Sequence, residues 1–346
     1  MAFFGVDSTL PPVSPDAAAT GTRRPHPSAP IPVQGPSVGS NIRVPLGESG
    51  SDAFPLILGA AEFGWTVDLE SSHAILDAYA ELGGNAVHTA DSYSSGRSEH
   101  ILGQWLHSRG LRDDIVLTVR VGGHADNPGL GPVNLIRAVE ASLKRLRTDR
   151  IDVLSLDATT DPGSSLEDTL ATAEWLVDTG KVRALGAYGY TAAQLVEARI
   201  LSSAGYPRIT VLDVPFNVLR RHEFDADLRL VAGAQAMAVT PSHALEHGFL
   251  AGRQRSKIRG ALSVRGAQLA ANLNRRGSRT LRALDAVGAD LGVPDAAVAV
   301  AWLLAQRLVT APIVNAYAPQ HVEELVQGVG VRLSRSQLAD IGRAAE

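Results

Sequence analysis

Three side chains able to bind or move protons lie close together in the segment VHTADSYSSGRSE, residues 87–99: His88, Asp91 and Tyr93. The short apolar run Ala86-Val87 stops at His88, and a Ser/Gly-rich loop follows. Such a corner is either catalytic or an ordinary polar loop. Similar endings recur along the chain: Val119 is followed by Arg120, Leu156 by Asp157, Leu185 by Gly186, Leu212 by Asp213 and Val314 by Asn315. If these runs are parallel strands, their ends gather at one face, and Tyr93 with His88, Arg120 and Asp157 forms a candidate acid/base constellation. Arg120 and Asp157 are expected to pair, because neither charge is tolerated alone in a buried site. A cation beside Tyr93 lowers its pKa and aids proton transfer, while His88 orients it or shares the proton work. The plain alternative is a satisfied polar plug with no turnover.

The elements that must position these residues follow from periodicity. Leu56 to Gly59 is the first apolar run. A helix is predicted over about 68–82, with Ile75, Leu76, Tyr79 and Leu82 at helical spacing and Gly83-Gly84 as its stop. A second helix is predicted to begin near Ser98, as N-cap. Strands are predicted at 115–119, 151–156, 182–185, 209–212, weakly at 236–239, and at 312–314. Helices are predicted at about 132–147, 166–179, 191–203, 277–291, 295–306, 319–327 and 335–345. Alternation of this kind, with strands read as continuous apolar runs, implies a parallel sheet. About eight such units fit an α/β (β/α)₈ TIM barrel better than an open sheet. No G-x-G-x-x-G follows the first strand, which weakens the doubly wound alternative.

Composition bounds the rest. The 346 residues are 45% hydrophobic and 20% charged, with a formal net charge of −4. That balance gives no reason to expect nucleic acid or an anionic membrane as partner. Cysteine is absent, so disulfides and thiolate chemistry are excluded, and no metal site is expected. No apolar run approaches the ~18–20 residues of a membrane span, and no signal-like segment follows Arg23-Arg24, so a cytoplasmic location is expected. Residues 1–41 are rich in Pro, Ser, Ala and Gly and read as a disordered tail. Residues 42–346 read as one barrel.

Several blocks carry a resemblance. Arg43 to Gly50 is similar to the opening hairpin of the aldo-keto reductases. Leu58-Gly59, Thr89-Ala90-Asp91-Ser92-Tyr93, Gly96-Arg97-Ser98-Glu99, Arg150-Ile151-Asp152, Gly180-Lys181-Val182-Arg183, Phe216-Asn217-Val218-Leu219 with Arg221-His222-Glu223, and Gly248-Phe249-Leu250-Ala251-Gly252 stand in that family's order. The resemblance implies a (β/α)₈ barrel reducing carbonyls with NADPH. It also implies a tetrad of Asp, Tyr, Lys and His, whose positions hold His88, Tyr93, Arg120 and Asp157. Only Tyr93 is kept. The chain has just three lysines, Lys144, Lys181 and Lys257, none beside Arg120, and Arg stays protonated where Lys can titrate.

The cofactor positions implied by the resemblance also differ. Tyr188-Gly189 replaces the Ser-Asn pair that holds the carboxamide, and Asp213 replaces a Gln. Ser242 falls at the stacking Tyr. Asn315 and Tyr317 replace the Gly and Arg near the 2′-phosphate, and Leu325 replaces the Asn that grips adenine. Tyr188 and Tyr317 are expected to fill the cofactor groove. A basic stretch that includes Arg253, Arg255, Lys257 and Arg259, and later Arg265, Arg275, Arg276 and Arg279, is a candidate anion-binding loop or a solvated one.

Three functions follow as expectations. One is a non-catalytic pseudoenzyme without NADPH, binding a small molecule, peptide or partner protein within a biosynthetic pathway. A second is a redox-neutral lyase, isomerase or cyclase using Tyr93, His88, Arg120 and Asp157. A third is a divergent NADPH-dependent oxidoreductase.

Overall fold

The structure is a computed structural model that describes residues 42–161, 163–252 and 266–346. The expected tail at 1–41 and the basic residues Arg253, Arg255, Lys257, Arg259 and Arg265 lie outside the described residues. A short antiparallel hairpin, β1 (Val44–Pro45) and β2 (Asp52–Ala53), opens the described chain, as the Arg43–Gly50 block led one to expect. Eight parallel strands follow: β3 (Ile57–Gly59), β4 (Ala86–Ala90), β5 (Val116–Val121), β6 (Ile151–Asp157), β7 (Val182–Tyr188), β8 (Ile209–Pro215), β9 (Ala238–Ser242) and β10 (Ile313–Asn315). Their order, β10-β3-β4-β5-β6-β7-β8-β9, describes a nearly closed (β/α)₈ barrel. The seam between β9 and β10 is crossed by a Val239–Val309 bridge and by Thr310 N–H donating to Val239 O at 2.8 Å.

Side chains alternate in and out along a strand, and this layers the barrel interior. One inward set is apolar: Ile57, Ala86, Val153, Ala184, Val211, Ala238 and Ile313, closed from below by Leu46 and Ala53 of the hairpin. Two residues further along the same strands stand Gly59, His88, Ser155, Gly186, Asp213, Thr240 and Asn315. Arg120, Asp157, Tyr188 and Ser242 come at or near the strand ends. The outward residues, Leu58, Val87, Leu117, Val119, Leu154, Leu156, Leu185 and Leu212, pack under the helices in the main core.

This layering corrects the strand bounds. β4, β5, β7, β8 and β9 all run past their apolar stretches, so His88, Arg120 and Asp213 lie inside strands. The ladder continues because polar inward side chains meet one another at the mouth, where an apolar pattern is not needed. The helix Arg97–Arg109 takes Gly96, at φ 81°, as its N-cap. Ser98 is not the cap: its hydroxyl is buried and donates to Ala60 O at 2.7 Å. Within the basic stretch a further helix, Gly266–Asn272, was not anticipated, and Arg276 is structural, donating to the carbonyls of Ala345 and Leu219.

Several family blocks serve the scaffold. Gly96 leaves room for Arg145, whose atoms would lie 2.7 Å from an added Cβ, and Arg145 Nε then donates to buried Glu99 at 2.6 Å. Asp152, almost wholly buried, accepts from Leu117 N–H at 2.9 Å and pairs with Arg112 and Arg183, each at 2.9 Å. Replacing Asp152 by Ala leaves a buried guanidinium and an amide unpaired. A loss of about 3 kcal/mol in unfolding free energy is expected, measured by urea denaturation.

Candidate functional site

The opening corner is built by short-range constraints. β4 ends at Ala90, and Asp91, buried, accepts from Gly122 N–H at 3.0 Å, tying the corner to the end of β5. Asp91 is thus a structural member of the trio. Tyr93 begins a tight 3₁₀ turn, Tyr93–Gly96, in which Ser94 and Ser95 take left-handed φ of 52° and 54°. Ser94 Oγ donates to Phe63 O at 3.1 Å and helps hold that turn. The turn directs the Tyr93 ring back over the barrel mouth.

Arg120 is the centre of the site. Its Nη2 donates to Tyr93 Oη at 3.3 Å, its Nε lies 3.5 Å from Asp157 Oδ2, and its Nη1 lies 3.8 Å from Asp213 Oδ2. The guanidinium carbon stands 4.1 Å from the Tyr188 ring centroid and 5.5 Å from that of Tyr93. Burial works against this charge, but Tyr93, Asp213, Tyr188 and Asp157 together hold its pKa above the usual arginine range. The expected Arg120–Asp157 pair is present, joined by a second carboxylate, Asp213, which the sequence placed at a strand end and at a cofactor position but not in this pairing. Asp157 also accepts from Thr159 N–H at 2.9 Å. Asp213 is buried; burial pushes its pKa up to about 6, against the pull of Arg120 and then of the nearby Ser242 hydroxyl.

His88 is 2% exposed, with Nδ1 3.0 Å from Thr118 Oγ1 and Nε2 without a partner. Burial, and then the charge of Arg120, push its pKa down to about 3, so it is neutral at pH 7. Its ring meets that of Tyr93 edge to face, with centroids 6.1 Å apart. His88, Tyr93 and Arg120 line the floor of a cavity of about 540 Å³ that rises over the β9–β10 seam. Asp157 stands behind Arg120, away from the cavity lining.

One wall follows β9 through Ser242, His243, Ala244, Leu245, His247 and Gly248. The other follows β10 through Asn315 and Tyr317 to His321, Glu324 and Leu325. The first wall is strained. His243, Glu246 and His247 have left-handed φ of 53°, 47° and 58°, at a cost of about 1 kcal/mol or more each. A buried clamp holds it: Arg220 donates twice to Glu246, at 2.8 and 3.1 Å, and Asn217 donates to Glu246 at 2.6 Å and to His243 O at 2.8 Å. Sequence reading missed Arg220, Glu246 and the wall histidines. The Phe216–Leu219 and Gly248–Gly252 blocks bracketed them, but nothing in the residue order marked Glu246.

The expectation that Tyr188 and Tyr317 fill the groove is corrected. Tyr188 is drawn aside onto Arg120, because a guanidinium face and a phenol ring attract, and Tyr317 sits at the rim, 40% exposed. Asn315 lines the cavity with its Oδ1 buried and unpartnered. The NADPH implied by the resemblance fits the described residues poorly. Arg120 is the one Lys or Arg among the described lining residues, and it is already matched by two carboxylates. Glu62 and Glu324 add acidic side chains to the walls. His243 is held neutral, its pKa pushed down to about 4 by burial and then by His247. Among the described residues no cluster is arranged to hold a metal ion, and no single helix is long and apolar enough to cross a membrane.

Two buried groups give stability opposite pH slopes. Asp213 has a raised folded pKa, so its contribution is full below the unfolded value of about 4 and is lost as pH rises through about 6. His88 has a lowered folded pKa, so the unfolded chain takes up its proton first and stability rises with pH between about 3 and 6.5. Asp213→Asn removes the falling component. Its unfolding free energy is expected to rise with pH between about 4 and 6 more steeply than the parent's, by roughly 1 kcal/mol per pH unit, in urea melts.

Comparison with known proteins agrees with this architecture. The aldo/keto reductase family model matches residues 55–346. The aldo-keto reductase ausK of Emericella nidulans is 33% identical, over 92% of this chain and 85% of that protein. The norsolorinic acid reductase stcV of the same organism is 29% identical, over 91% and 84%. A probable voltage-gated potassium channel subunit beta of Oryza sativa subsp. japonica is 27% identical, over 83% and 90%. Barrel, hairpin, corner and ordered blocks thus place this chain in the aldo/keto reductase family.

Proposed function

We propose that this protein binds a small organic molecule in the cavity at its barrel mouth and has given up the NADPH-dependent hydride transfer of its family. The observation that carries this reading is Arg120. Where the family pattern has a titratable lysine, a permanently charged guanidinium is locked between Asp157 and Asp213 and stacked on Tyr188. Tyr188, at the carboxamide position, and Asp213, at another cofactor position, now serve that cage. The described walls, with Leu245, Leu325 and neutral His243, suit an uncharged or largely apolar molecule better than a dinucleotide with its phosphates. At the floor, Tyr93 and His88 are placed to hydrogen-bond and orient a polar group of the bound molecule.

A second reading, a divergent reductase, is favoured by one feature. Tyr93 is retained, with its oxygen hydrogen-bonded by a fixed cation at the floor of an open cavity. That is the arrangement a proton-donating phenol requires, and relatives such as ausK and stcV are named reductases.

Calorimetric titration of the full-length protein with NADPH decides between them. No binding is expected up to millimolar cofactor. A micromolar Kd, or NADPH oxidation with a panel of aldehydes and ketones, overturns the first reading in favour of the second.

A further inference from the structure

A buried arginine at the mouth of a barrel is ordinarily a receptor for carboxylate or phosphate, because its planar fork donates two parallel hydrogen bonds to such a group. The charge of Arg120 is already faced by two carboxylates and two rings. Nη1 faces Asp213 at 3.8 Å, Nε faces Asp157 at 3.5 Å, Nη2 donates to Tyr93 at 3.3 Å, and the Tyr188 ring covers one face at 4.1 Å. Both carboxylates come from strands, so they do not swing away to admit a competitor. Two carboxylates against one guanidinium leave the floor negative when both are ionised. An incoming anion meets a guanidinium whose charge is already matched, and a repulsive field from the two carboxylates beside it.

An uncharged group meets the opposite situation. His88 Nε2 lines the same floor on a ring that is 2% exposed, and it has no partner. A buried polar atom left unsatisfied is costly, and a ligand hydroxyl, able to donate or accept, recovers that cost. In the same inward layer, Asn315 Oδ1 is likewise buried and without a hydrogen-bond partner.

We propose that the floor of this cavity selects uncharged hydrogen-bonding groups over carboxylates and phosphates, and that Asp213 is the positioning residue that sets the selection by neutralising Arg120. The inference rests on the reading that the cavity holds a small organic ligand. NADPH binding would remove that reading without deciding the charge preference, which is measured separately.

Benzyl alcohol and benzoate are suitable probes, since they share a ring and differ in charge. Each is titrated into the full-length protein by ligand-observed NMR, with competition between them to establish a common site. The parent protein is expected to bind benzyl alcohol more tightly. In Asp213→Asn the affinity ratio is expected to move toward benzoate by about tenfold, because Arg120 then carries an unmatched charge. A merely structural role for Asp213 weakens both probes together and leaves the ratio unchanged, which overturns the proposal.

Should Asp213→Asn fail to fold, the parent protein at pH about 5.5 and about 7.5 gives the same test. Asp213 gains its proton across that interval, facing Arg120 from β5, Asp157 from β6, Tyr188 from β7 and, through Arg120, Tyr93, while benzoate stays ionised. The ratio is expected to move toward benzoate at the lower pH. A parent protein that prefers benzoate, a ratio indifferent to both variant and pH, or no binding of either probe overturns the proposal.

Discussion

A guanidinium inside a barrel is stable only if the groups around it return what burial takes away, and Arg120 organises this molecule's mouth on that condition. Removing an ion from water costs several kcal/mol after relaxation, and it is offset only by close, well-directed partners. Asp157, Asp213, Tyr93 and Tyr188 come from four separate places in the chain and all face Arg120. Taken together they are one compensated set, in which each partner makes sense only beside the others. Burial keeps His88 neutral, the same charge adds to that, and it also holds the oxygen of Tyr93.

The place of the cavity follows from the barrel's weakest join. Seven neighbouring strand pairs are laddered, whereas β9 and β10 meet through little more than one bridge. Above that seam the chain segments leaving β9 and β10 diverge and become the two walls. A wall made of three left-handed non-glycine residues does not hold itself. The Asn217–Arg220–Glu246 clamp supplies the constraint, so strain on the ligand side is balanced by buried ionic hydrogen bonds on the scaffold side.

The family blocks divide by task. Gly96 to Glu99, Asp152 and Arg183 act in the scaffold, packing helices and pairing buried charges. Arg120, Asp157, Tyr188 and Asp213 stand instead at or near the inward strand ends. A barrel tolerates this separation because its stability lies in the apolar interior layer and in the strand–helix packing, while the mouth is free to change its chemistry.

From residue order alone, the eight-fold alternation, the barrel class, the opening hairpin and four of the mouth residues were legible. Apolar runs report buried strands, and ionisable residues after such runs report the mouth. The strand ends were misjudged because polar side chains that satisfy one another extend a strand without extending its apolar pattern, as at His88 and Asp213. The open groove was also misjudged, since size alone suggested that Tyr188 would fill it. Only the tertiary structure decided that Asp213 shares Arg120 with Asp157, that Tyr188 turns away from the groove, and that Asn217 and Arg220 brace, through Glu246, a wall far from them in sequence. These depend on which inward positions of neighbouring strands and loops come within a few ångströms of one charge. The barrel's register sets that distance, and residue types and local spacing do not encode it.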